Sequence, residues 1–391
     1  MFDSIAQMVS SAEQSARAWR ELLDHVRGLD ESFATGPAAL VGERATVEGY
    51  RYLATVLGLA LDIFVHADPA RPTFVDINAP DRPDLCWGGD NTDASYMFCA
   101  IDPGRQYRIT GRPGDSVYFS VTVYNQPEPG LWSNRIIGTV NDVDLDPADD
   151  GSFELRLGPS RPDGWSGPFI ELAPDAAHVV TRDYQPTYSA DTRTTFSIEA
   201  MDPPATFVER DTDLAAGLAA AKRWIDQQFT FLPLAVGAPP DESEFGEGHN
   251  TGGDANTFAD PYRVPEQNFG WSAGDACYGL GTFQLAEDEA LVITHRPPEC
   301  RFWNLNLWNQ FMAKFRHEYE RVSINCATAV PNSDGTVTAV VSHRELAHPN
   351  AISTEGHGSG MMAFRWFLAE TVPDRPTVEI VPVDSAPTGV T

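Results

Sequence analysis

The stretch LCWGGDNTDASYMF, residues 85–98, crowds two carboxylates and an amide into four positions. Asp90, Asn91 and Asp93 carry the oxygen atoms that bind a hard divalent cation, and two carboxylates can also act as general acid and general base. That division requires burial or like-charge repulsion to separate their pKa values. We therefore expect Asp90 and Asp93 to be catalytic, or to be the metal ligands if a metal is bound.

The same stretch also has a purely structural interpretation. The glycines Gly88 and Gly89 favour a sharp turn, and Asp90 or Asn91 can accept a hydrogen bond from the backbone two residues later, in an Asx-turn. A strand would then begin at Tyr96. The two interpretations are compatible, because such a turn would hold the carboxylates at the edge of a sheet, where a cleft could use them.

A second mixture of amides and aromatic rings lies in CRFWNLNLWNQF, residues 300–311. Alternate residues of a strand share a face, so Asn304, Asn306 and Trp308 lie together. Buried amides must be hydrogen-bonded, and a pocket that orients the polar head of an apolar ligand needs this mixture. We predict that these three residues, with Trp87 and Asn91, bind the substrate. The alternative is an ordinary amphipathic strand whose amide face meets water.

Two histidines and an arginine–tyrosine pair complete the candidate site. His343 ends an apolar strand, and His357 lies in EGHGSG, where glycines allow a backbone to approach a ligand closely. A pKa near neutrality makes either histidine a candidate acid or base, although a lone histidine is more often structural. Arg182 and Tyr184, in TRDY, could present a guanidinium and a phenol to a carboxylate or phosphate, and Tyr184 is also a catalytic candidate. An internal ion pair between arginine and aspartate is the alternative for Arg182.

Familiar catalytic motifs are absent from the sequence. GWSAG, residues 270–274, matches the GxSxG pattern of serine hydrolases, but proline-rich sequence precedes it and a β pattern follows, whereas the nucleophile elbow needs a strand before it and a helix after it. HExxH, a phosphate-binding GxxxxGK and a dinucleotide fingerprint do not occur. We expect no organic cofactor, and a divalent cation is the one cofactor compatible with the candidate residues.

Three helices are predicted around these segments. Apolar residues recur at intervals of three and four from Ile5 to Val26, and a second, more apolar helix is predicted over about 46–64. A third is predicted over 211–229. Residues 232–269 are rich in Pro, Gly, Asp and Asn and lack periodicity, so they form either a functional lid or a linker.

Period-two alternation predicts β structure in two regions, at about 72–203 and 278–383, with turn signals between the runs. Strands without intervening helices imply antiparallel sandwiches. The predicted fold is mainly β within the α+β class: two antiparallel β-sandwich or jelly-roll-like units, a helical lead-in and a junction helix. The predicted division is 1–68 helical, 69–205 first β domain, 206–269 junction helix and loop, and 270–391 second β domain. No sequence repeat is evident between the β regions.

Charge and hydropathy exclude several classes of partner. The 391 residues include 27 basic and 56 acidic ones, giving a formal net charge of -29, which argues against binding to nucleic acid or anionic lipid. The most apolar run, Tyr52 to Val65, is too short to span a membrane, and the N-terminus has no signal-peptide pattern. We expect a cytoplasmic protein that acts on a small molecule. Self-association into a homo-oligomer stays open.

The quoted segments, taken in order, resemble a known family. WGGDNTDASY, YRITG, TRDY, CRFWNLNLWNQF, VSHRE and FRWFLAE are similar in order and spacing to bacterial proteins that carry the "domain of unknown function 1214". The resemblance covers most of the chain beyond about residue 46. It implies a jelly-roll-type β unit in the C-terminal half and a second β unit before it, but no reaction. The loop around 249–260 departs from the family pattern.

Together these patterns predict an enzyme, either a hydrolase or a lyase or isomerase, acting on a small, largely apolar substrate that carries a polar or anionic group. Its site would be a cleft between the β units, roofed by the 232–269 loop. The alternative is a non-catalytic ligand-binding or scaffold protein. An enzyme should show carboxylates or histidines with perturbed pKa values converging on a pocket, whereas a binding module should show an aromatic platform without them.

Overall fold

The computed structural model describes residues 12–35, 42–145, 147–202, 206, 208–232, 254–267 and 269–391. Its helices are α1 (Glu13–Thr35), α2 (Glu43–Phe64) and α3 (Asp211–Phe231), so all three predicted helices are present. Residues 1–11, where the first helix was expected to begin, lie outside the described residues. Both α1 and α2 pack against α3. The helix α2 buries apolar side chains at intervals of three and four, which form one face for this packing.

The first β unit contains nine strands in two sheets that pack face to face. Its inner sheet has the order β1-β2-β8-β4-β5 and its outer sheet the order β7-β6-β3-β9. Aliphatic and aromatic side chains from both sheets form one core between them. The strands are β1 (Val75–Asn78), β2 (Ala94–Ala100), β3 (Tyr107–Arg112), β4 (Tyr118–Asn125), β5 (Ile136–Asn141), β6 (Phe153–Gly158), β7 (Phe169–Glu171), β8 (Ala176–Tyr184) and β9 (Thr195–Ala200).

The second β unit is built in the same way. Its inner sheet has the order β10-β12-β18-β14-β15, with β11 also paired to β12, and its outer sheet has the order β17-β16-β13-β19. The strands are β10 (Thr257–Phe258), β11 (Tyr262–Arg263), β12 (Ala276–Gln284), β13 (Glu289–His295), β14 (Phe302–Trp308), β15 (Ser323–Asn325), β16 (Val337–Ser342), β17 (Ala351–Ser353), β18 (Ser359–Phe367) and β19 (Thr377–Pro382). The predicted mainly β fold with two sandwich units is confirmed.

The two units have one topology, so the expectation that no repeat links them is wrong. Both place their last long inner strand, β8 or β18, at the centre of the inner sheet, and both contain one parallel pair, β6–β7 and β16–β17. The sequences agree once the strands are superposed by topology. Residues 109–126, ITGRPGDSVYFSVTVYNQ, align without a gap with residues 293–310, ITHRPPECRFWNLNLWNQ. The chain therefore contains a duplicated β unit.

The two inner sheets face each other. Strands β4, β14 and most of β8 and β18 are buried on both faces, although β4 and β14 alternate polar with apolar side chains. The ring of Phe367 from β18 lies 4.4 Å from that of Tyr184 and 4.6 Å from that of Tyr118, between ring centroids. The space between the inner sheets is consequently the interior of the molecule.

The predicted 232–269 loop is only partly described. Residues 233–253 lie outside the described residues, and the expectation that they roof a cleft stays a prediction. Residues 254–267 are not an irregular loop, because they add β10 and β11 to the edge of β12. Phe258 is buried there against Phe364, with ring centroids 5.5 Å apart. Within the described chain, no helix has the length and apolar character needed to cross a membrane.

Candidate functional site

A cavity of about 190 Å³ lies between the two inner sheets, with α2 and α3 closing one side. It is smaller than the roughly 300–1,000 Å³ of sites that hold drug-sized ligands, so it suits a small molecule. Ten of the 25 described lining residues are aromatic. They are Tyr52, Trp87, Tyr96, Trp132, Tyr184, Tyr262, Phe269, Trp271, Tyr278 and Trp308.

The charged groups among the described lining residues are two arginines, Arg182 from β8 and Arg365 from β18. The same lining contains no aspartate, glutamate, histidine or cysteine. Neither guanidinium forms an ion pair with a carboxylate within the parts of the chain that the structure covers. The cavity wall is therefore largely apolar, and the charged side chains among its described lining residues are positive.

The side chain of Arg182 has its terminal nitrogens occupied by the protein. Nη1 donates to Thr122 Oγ1 at 3.3 Å, and Nη2 donates to the Tyr124 hydroxyl at 2.8 Å and to the Trp271 carbonyl at 2.5 Å. The residue is 4% exposed. Arg182 thus fixes the loop that carries Trp271 to the centre of the first inner sheet.

The side chain of Arg365 is less completely satisfied. Its Nη2 donates to the Gly89 carbonyl, and its Cζ lies 4.8 Å from the centre of the Trp308 ring, a cation–π contact. Its Nη1 is buried and has no hydrogen-bond partner among the described residues. The residue is 8% exposed. Arg365 therefore offers a buried, charged donor without an acceptor.

Each arginine pairs across its sheet with a tyrosine, Tyr96 beside Arg182 and Tyr278 beside Arg365. Burial by itself lowers the pKa of both guanidiniums. The surrounding phenol groups, together with the Asp90 carboxylate in the case of Arg365, leave that pKa above its ordinary value, so both stay charged. Burial raises the pKa of Tyr96, and it raises the pKa of Tyr184 still further. The two neutral hydroxyls lie 2.7 Å apart and share a hydrogen bond.

Three tryptophans surround one part of the cavity. The ring of Trp132 lies 6.2 Å from that of Trp87 and 5.7 Å from that of Trp271, between centroids. The indole nitrogens of Trp132 and Trp271 are buried without a hydrogen-bond acceptor in the described chain. The loop before Trp271 turns at Gly270, whose φ of 71° favours glycine. Because β12 follows this loop rather than a helix, GWSAG is not a nucleophile elbow.

The stretch that begins at Trp87 forms a turn and a wall of the cavity. Gly88 and Gly89 have φ values of 63° and 73°, and Asn91 Oδ1 accepts a hydrogen bond from the backbone N–H of Asp93 at 2.9 Å. The predicted turn and Asx-turn are both confirmed. Trp87 and the two glycines line the cavity, whereas the side chains of Asn91 and Asp93 do not.

Asp90 lies behind this wall in a buried ion pair. Its Oδ2 is 2.9 Å from Lys314 Nζ, and its Oδ1 accepts the backbone N–H of Lys314 at 2.6 Å. Lys314 Nζ also lies 3.1 Å from Cys86 Sγ. The Lys314 ammonium is thus bonded to the Asp90 carboxylate. The described residues contain no group of three or more acidic, histidine or cysteine ligands for a metal.

Asp93 belongs to an amide network that joins the two units. Its carboxylate accepts from Asn304 Nδ2 at 2.8 Å and from Asn325 Nδ2 at 3.0 Å, and burial raises its pKa to about 6. Asn306 Oδ1 accepts from the hydroxyl of Thr92 at 3.2 Å. Asn304 and Asn306 are fully buried, so the alternative of a water-facing amide strand is wrong. Their partners are protein groups, and neither residue lines the cavity.

The two histidines lie apart from these groups. His343 Nδ1 is 2.6 Å from Thr354 Oγ1, and His343 Nε2 is 3.1 Å from the Leu285 carbonyl, at the edge of the second unit. His357 Nε2 is 2.7 Å from Glu48 Oε1. Neither is among the lining residues that the structure describes. The predicted grouping of histidines with Asp90 and Asp93 is not assembled.

The structure therefore brings together four of the predicted residues, Trp87, Arg182, Tyr184 and Trp308. The alternative of an ion pair between Arg182 and a neighbouring aspartate is wrong, since the Arg182 nitrogens bond to neutral groups. Sequence reasoning missed Arg365. Its signal was a single arginine within the apolar run MMAFRWF, on the strand that the resemblance had already marked.

Comparison with known proteins gives a fold and a family. The family described as "Protein of unknown function (DUF1214)" matches residues 97–188 and 283–371. No curated protein is similar to this chain. An uncharacterized protein from Burkholderia cenocepacia has a similar crystal structure, with a TM-score of 0.80, 24% identity, and coverage of 96% of this chain and 100% of that one. At that identity the likeness shows the fold alone.

A second similar structure is the VPA0106 protein from Vibrio parahaemolyticus, with a TM-score of 0.43, 10% identity, and coverage of 85% of this chain and 98% of that one. The family match agrees with the resemblance predicted from the sequence. Its two segments fall one in each β unit and include the strands that carry Arg182 and Arg365. By these matches the chain belongs to the DUF1214 family, whose function is unknown.

Proposed function

We propose that this protein binds a small, largely apolar molecule with one anionic group, in the cavity between its two β units. The observation that carries the proposal is the buried guanidinium of Arg365, whose Nη1 has no acceptor in the described chain. The carboxylates of Asp90 and Asp93 act on Arg365 through space but form no ion pair with it, and a buried charged donor without a bonded acceptor is costly. A ligand carboxylate would supply both the negative charge and the missing acceptor, in a strong charge-assisted hydrogen bond.

The cavity wall supports an apolar body for this ligand. Rings of Trp87, Trp132 and Trp271 surround the space, and the Met361 side chain adds an aliphatic surface. Removing apolar surface from water stabilises a complex by about 25 cal/mol for each Å². The negative net charge of the whole chain does not oppose an anionic ligand at this site, because the local charge inside the cavity is positive.

The geometry favours binding over catalysis. The described lining combines an aromatic platform with two arginines, and Asp90, Asp93, His343 and His357 contribute no side chain to it. A hydrolase or a lyase or isomerase would need a proton-transfer group there, and the hydrogen-bonded hydroxyls of Tyr96 and Tyr184 are the available ones. An enzymatic role, a bound divalent cation, self-association and a cytoplasmic location stay predictions from the sequence.

The experiment compares a carboxylate with its neutral amide. Native mass spectrometry would first identify any co-purified ligand. Calorimetry and tryptophan fluorescence would then follow phenylpropanoate and phenylpropanamide. We expect the acid to bind more tightly, and Arg365→Gln to weaken it by about 10- to 100-fold, since hydrogen bonds to charged groups contribute about 1.5–3 kcal/mol.

The matched control is Arg344→Gln, an arginine whose side chain is 56% exposed at the molecular surface. This control should leave the affinity for phenylpropanoate unchanged. Equal binding of acid and amide to the unmodified protein, or failure of both to bind, would refute the proposal. Turnover of the acid, followed by mass spectrometry of the mixture, would instead support the catalytic prediction.

A further inference from the structure

The two cavity arginines occupy equivalent positions in the duplicated units, but their surroundings differ. Arg182 lies opposite Tyr96 and Ser120 on the neighbouring strands, and Arg365 lies opposite Tyr278 and Asn304. A ligand in a fully equivalent pair of sites would meet two similar guanidiniums. The difference between the surroundings of Arg182 and Arg365 bears on how many anionic groups of a ligand the cavity can bind. This inference rests on the proposed function.

In the first unit, protein oxygen atoms accept from three of the four terminal N–H groups of the guanidinium. Tyr124 lies four residues beyond Ser120 on β4, and its hydroxyl accepts from Arg182 Nη2 at 2.8 Å. Thr122 lies between them and accepts from Nη1 at 3.3 Å. With the Trp271 carbonyl as a third acceptor, both terminal nitrogens of Arg182 have protein partners.

In the second unit, the equivalent positions of β14 hold Trp308 and Asn306. An indole has no hydrogen-bond acceptor, and the Trp308 N–H itself donates to the Asp90 carbonyl at 2.8 Å. The Asn306 oxygen accepts from Thr92 instead. Trp308 therefore offers Arg365 the face of a ring, and Arg365 Nη1 stays without an acceptor.

We infer that the cavity is selective for a monocarboxylate, that Arg365 is its anion contact, and that the exchange of tyrosine for tryptophan between positions 124 and 308 sets this selectivity. A second carboxylate on the ligand would reach a guanidinium on which three of the four terminal N–H groups are already bonded to the protein. That carboxylate would lose its hydration without gaining equivalent hydrogen bonds, which is costly in a buried site. The ligand class is an apolar monocarboxylic acid with its body among the tryptophans.

The test compares two acids with a shared apolar body. Phenylpropanoate carries one carboxylate, and benzylsuccinate carries two. Calorimetry on the intact protein should show phenylpropanoate binding at least about tenfold more tightly, since one unmet charged hydrogen bond is worth that factor or more. Arg365→Gln should weaken phenylpropanoate binding more than Arg182→Gln does.

The decisive variant is Tyr124→Phe, which keeps the ring and removes the hydroxyl that accepts from Arg182. It should narrow the ratio of the two affinities by about tenfold, because Nη2 of Arg182 then has a free N–H to offer a second carboxylate. Thermal melting would confirm that the variant folds, and the comparison on the unmodified protein needs no variant.

The outcomes separate the two ideas. If neither acid binds more tightly than phenylpropanamide, the proposed function fails, and this inference fails with it. If phenylpropanoate binds as proposed but benzylsuccinate binds equally well, or if Arg182→Gln is the more damaging change, the proposed function stands and the monocarboxylate assignment is overturned. An unchanged affinity ratio in Tyr124→Phe would contradict the role given to position 124.

Discussion

Replacement of Asp93 by asparagine should make the protein more stable at neutral pH, although Asp93 accepts hydrogen bonds from two buried amides. Burial without a directly bonded cation raises its pKa from 3.8 to about 6. Each pKa unit corresponds to about 1.36 kcal/mol, so ionising Asp93 in the folded protein costs about 3 kcal/mol relative to the unfolded chain. The neutral amide of Asn has nearly the shape of the protonated carboxyl and avoids this cost. Its NH2 cannot accept, so one of the two hydrogen bonds from Asn304 and Asn325 is lost and the net gain is smaller than about 3 kcal/mol.

The sign of the pH dependence follows from linkage. Between about pH 4 and pH 6 the folded protein holds the Asp93 proton while the unfolded chain releases it, so the folded state binds more protons. The contribution of this group to the free energy of unfolding is therefore fully present below about pH 4 and is lost as the pH rises through 6. The Asp93→Asn variant should lack this part of the slope.

The assay is thermal unfolding from pH 4 to pH 8 for the unmodified protein and for Asp93→Asn. With an unfolding entropy of roughly 2.1 cal/mol/K for each residue, a chain of 391 residues shifts its Tm by about 4 °C for 3 kcal/mol. Asp374→Asn, at an exposed carboxylate, is the control and should change neither the Tm nor its slope. A variant less stable at pH 7.5, or one with the slope of the unmodified protein, would refute the reasoning.

Two further predictions concern the wall behind the cavity. Gly89→Ala should destabilise the protein by about 1–3 kcal/mol, because φ is 73° and the added Cβ would lie 3.1 Å from the Trp308 ring. The control is Gly151→Ala, where φ is 80° but the space is open, and it should lower the free energy of unfolding by less in the same melting assay. Lys314→Met should destabilise by about 3–5 kcal/mol, since it leaves a buried Asp90 carboxylate without its ammonium. Adding Asp90→Asn to that variant should recover part of the loss, and a double variant no more stable than the single one would contradict the ion-pair argument.

Much of the fold was predictable because the sequence alternates strongly between apolar and polar residues. The helix α3 begins at Asp211, where prediction placed it. Strands β1 to β9 lie within the predicted β region 72–203, and β14 lies within the strand predicted from CRFWNLNLWNQF. The duplication was harder to detect, since the aligned residues keep their size and hydropathy more often than their identity. Tyr124 and Trp308, for example, match as aromatic residues and differ in the hydroxyl that accepts from Arg182.

The candidate site was predictable only in part. Four cavity residues were recognisable because each lies in a short segment that mixes polar and aromatic or apolar residues: Trp87, Arg182, Tyr184 and Trp308. The partner of Asp90 did not stand out, because Lys314 follows it by 224 residues in sequence and meets it only when the two units pack together. Arg365 reads as part of a core strand until the opposing sheet shows that its face lines a cavity.

Because the cavity lies between the two β units, a bound ligand should also increase the stability of the folded protein. The cavity wall contains residues from both units, so the proposed ligand would contact both units and add to the interactions that hold the units together. A ligand at about a hundred times its Kd would stabilise the folded chain by about 2.7 kcal/mol. This stabilisation is close to the free energy that ionising Asp93, at the same junction, costs the folded state. At neutral pH a bound ligand would therefore offset the destabilisation caused by the buried carboxylate.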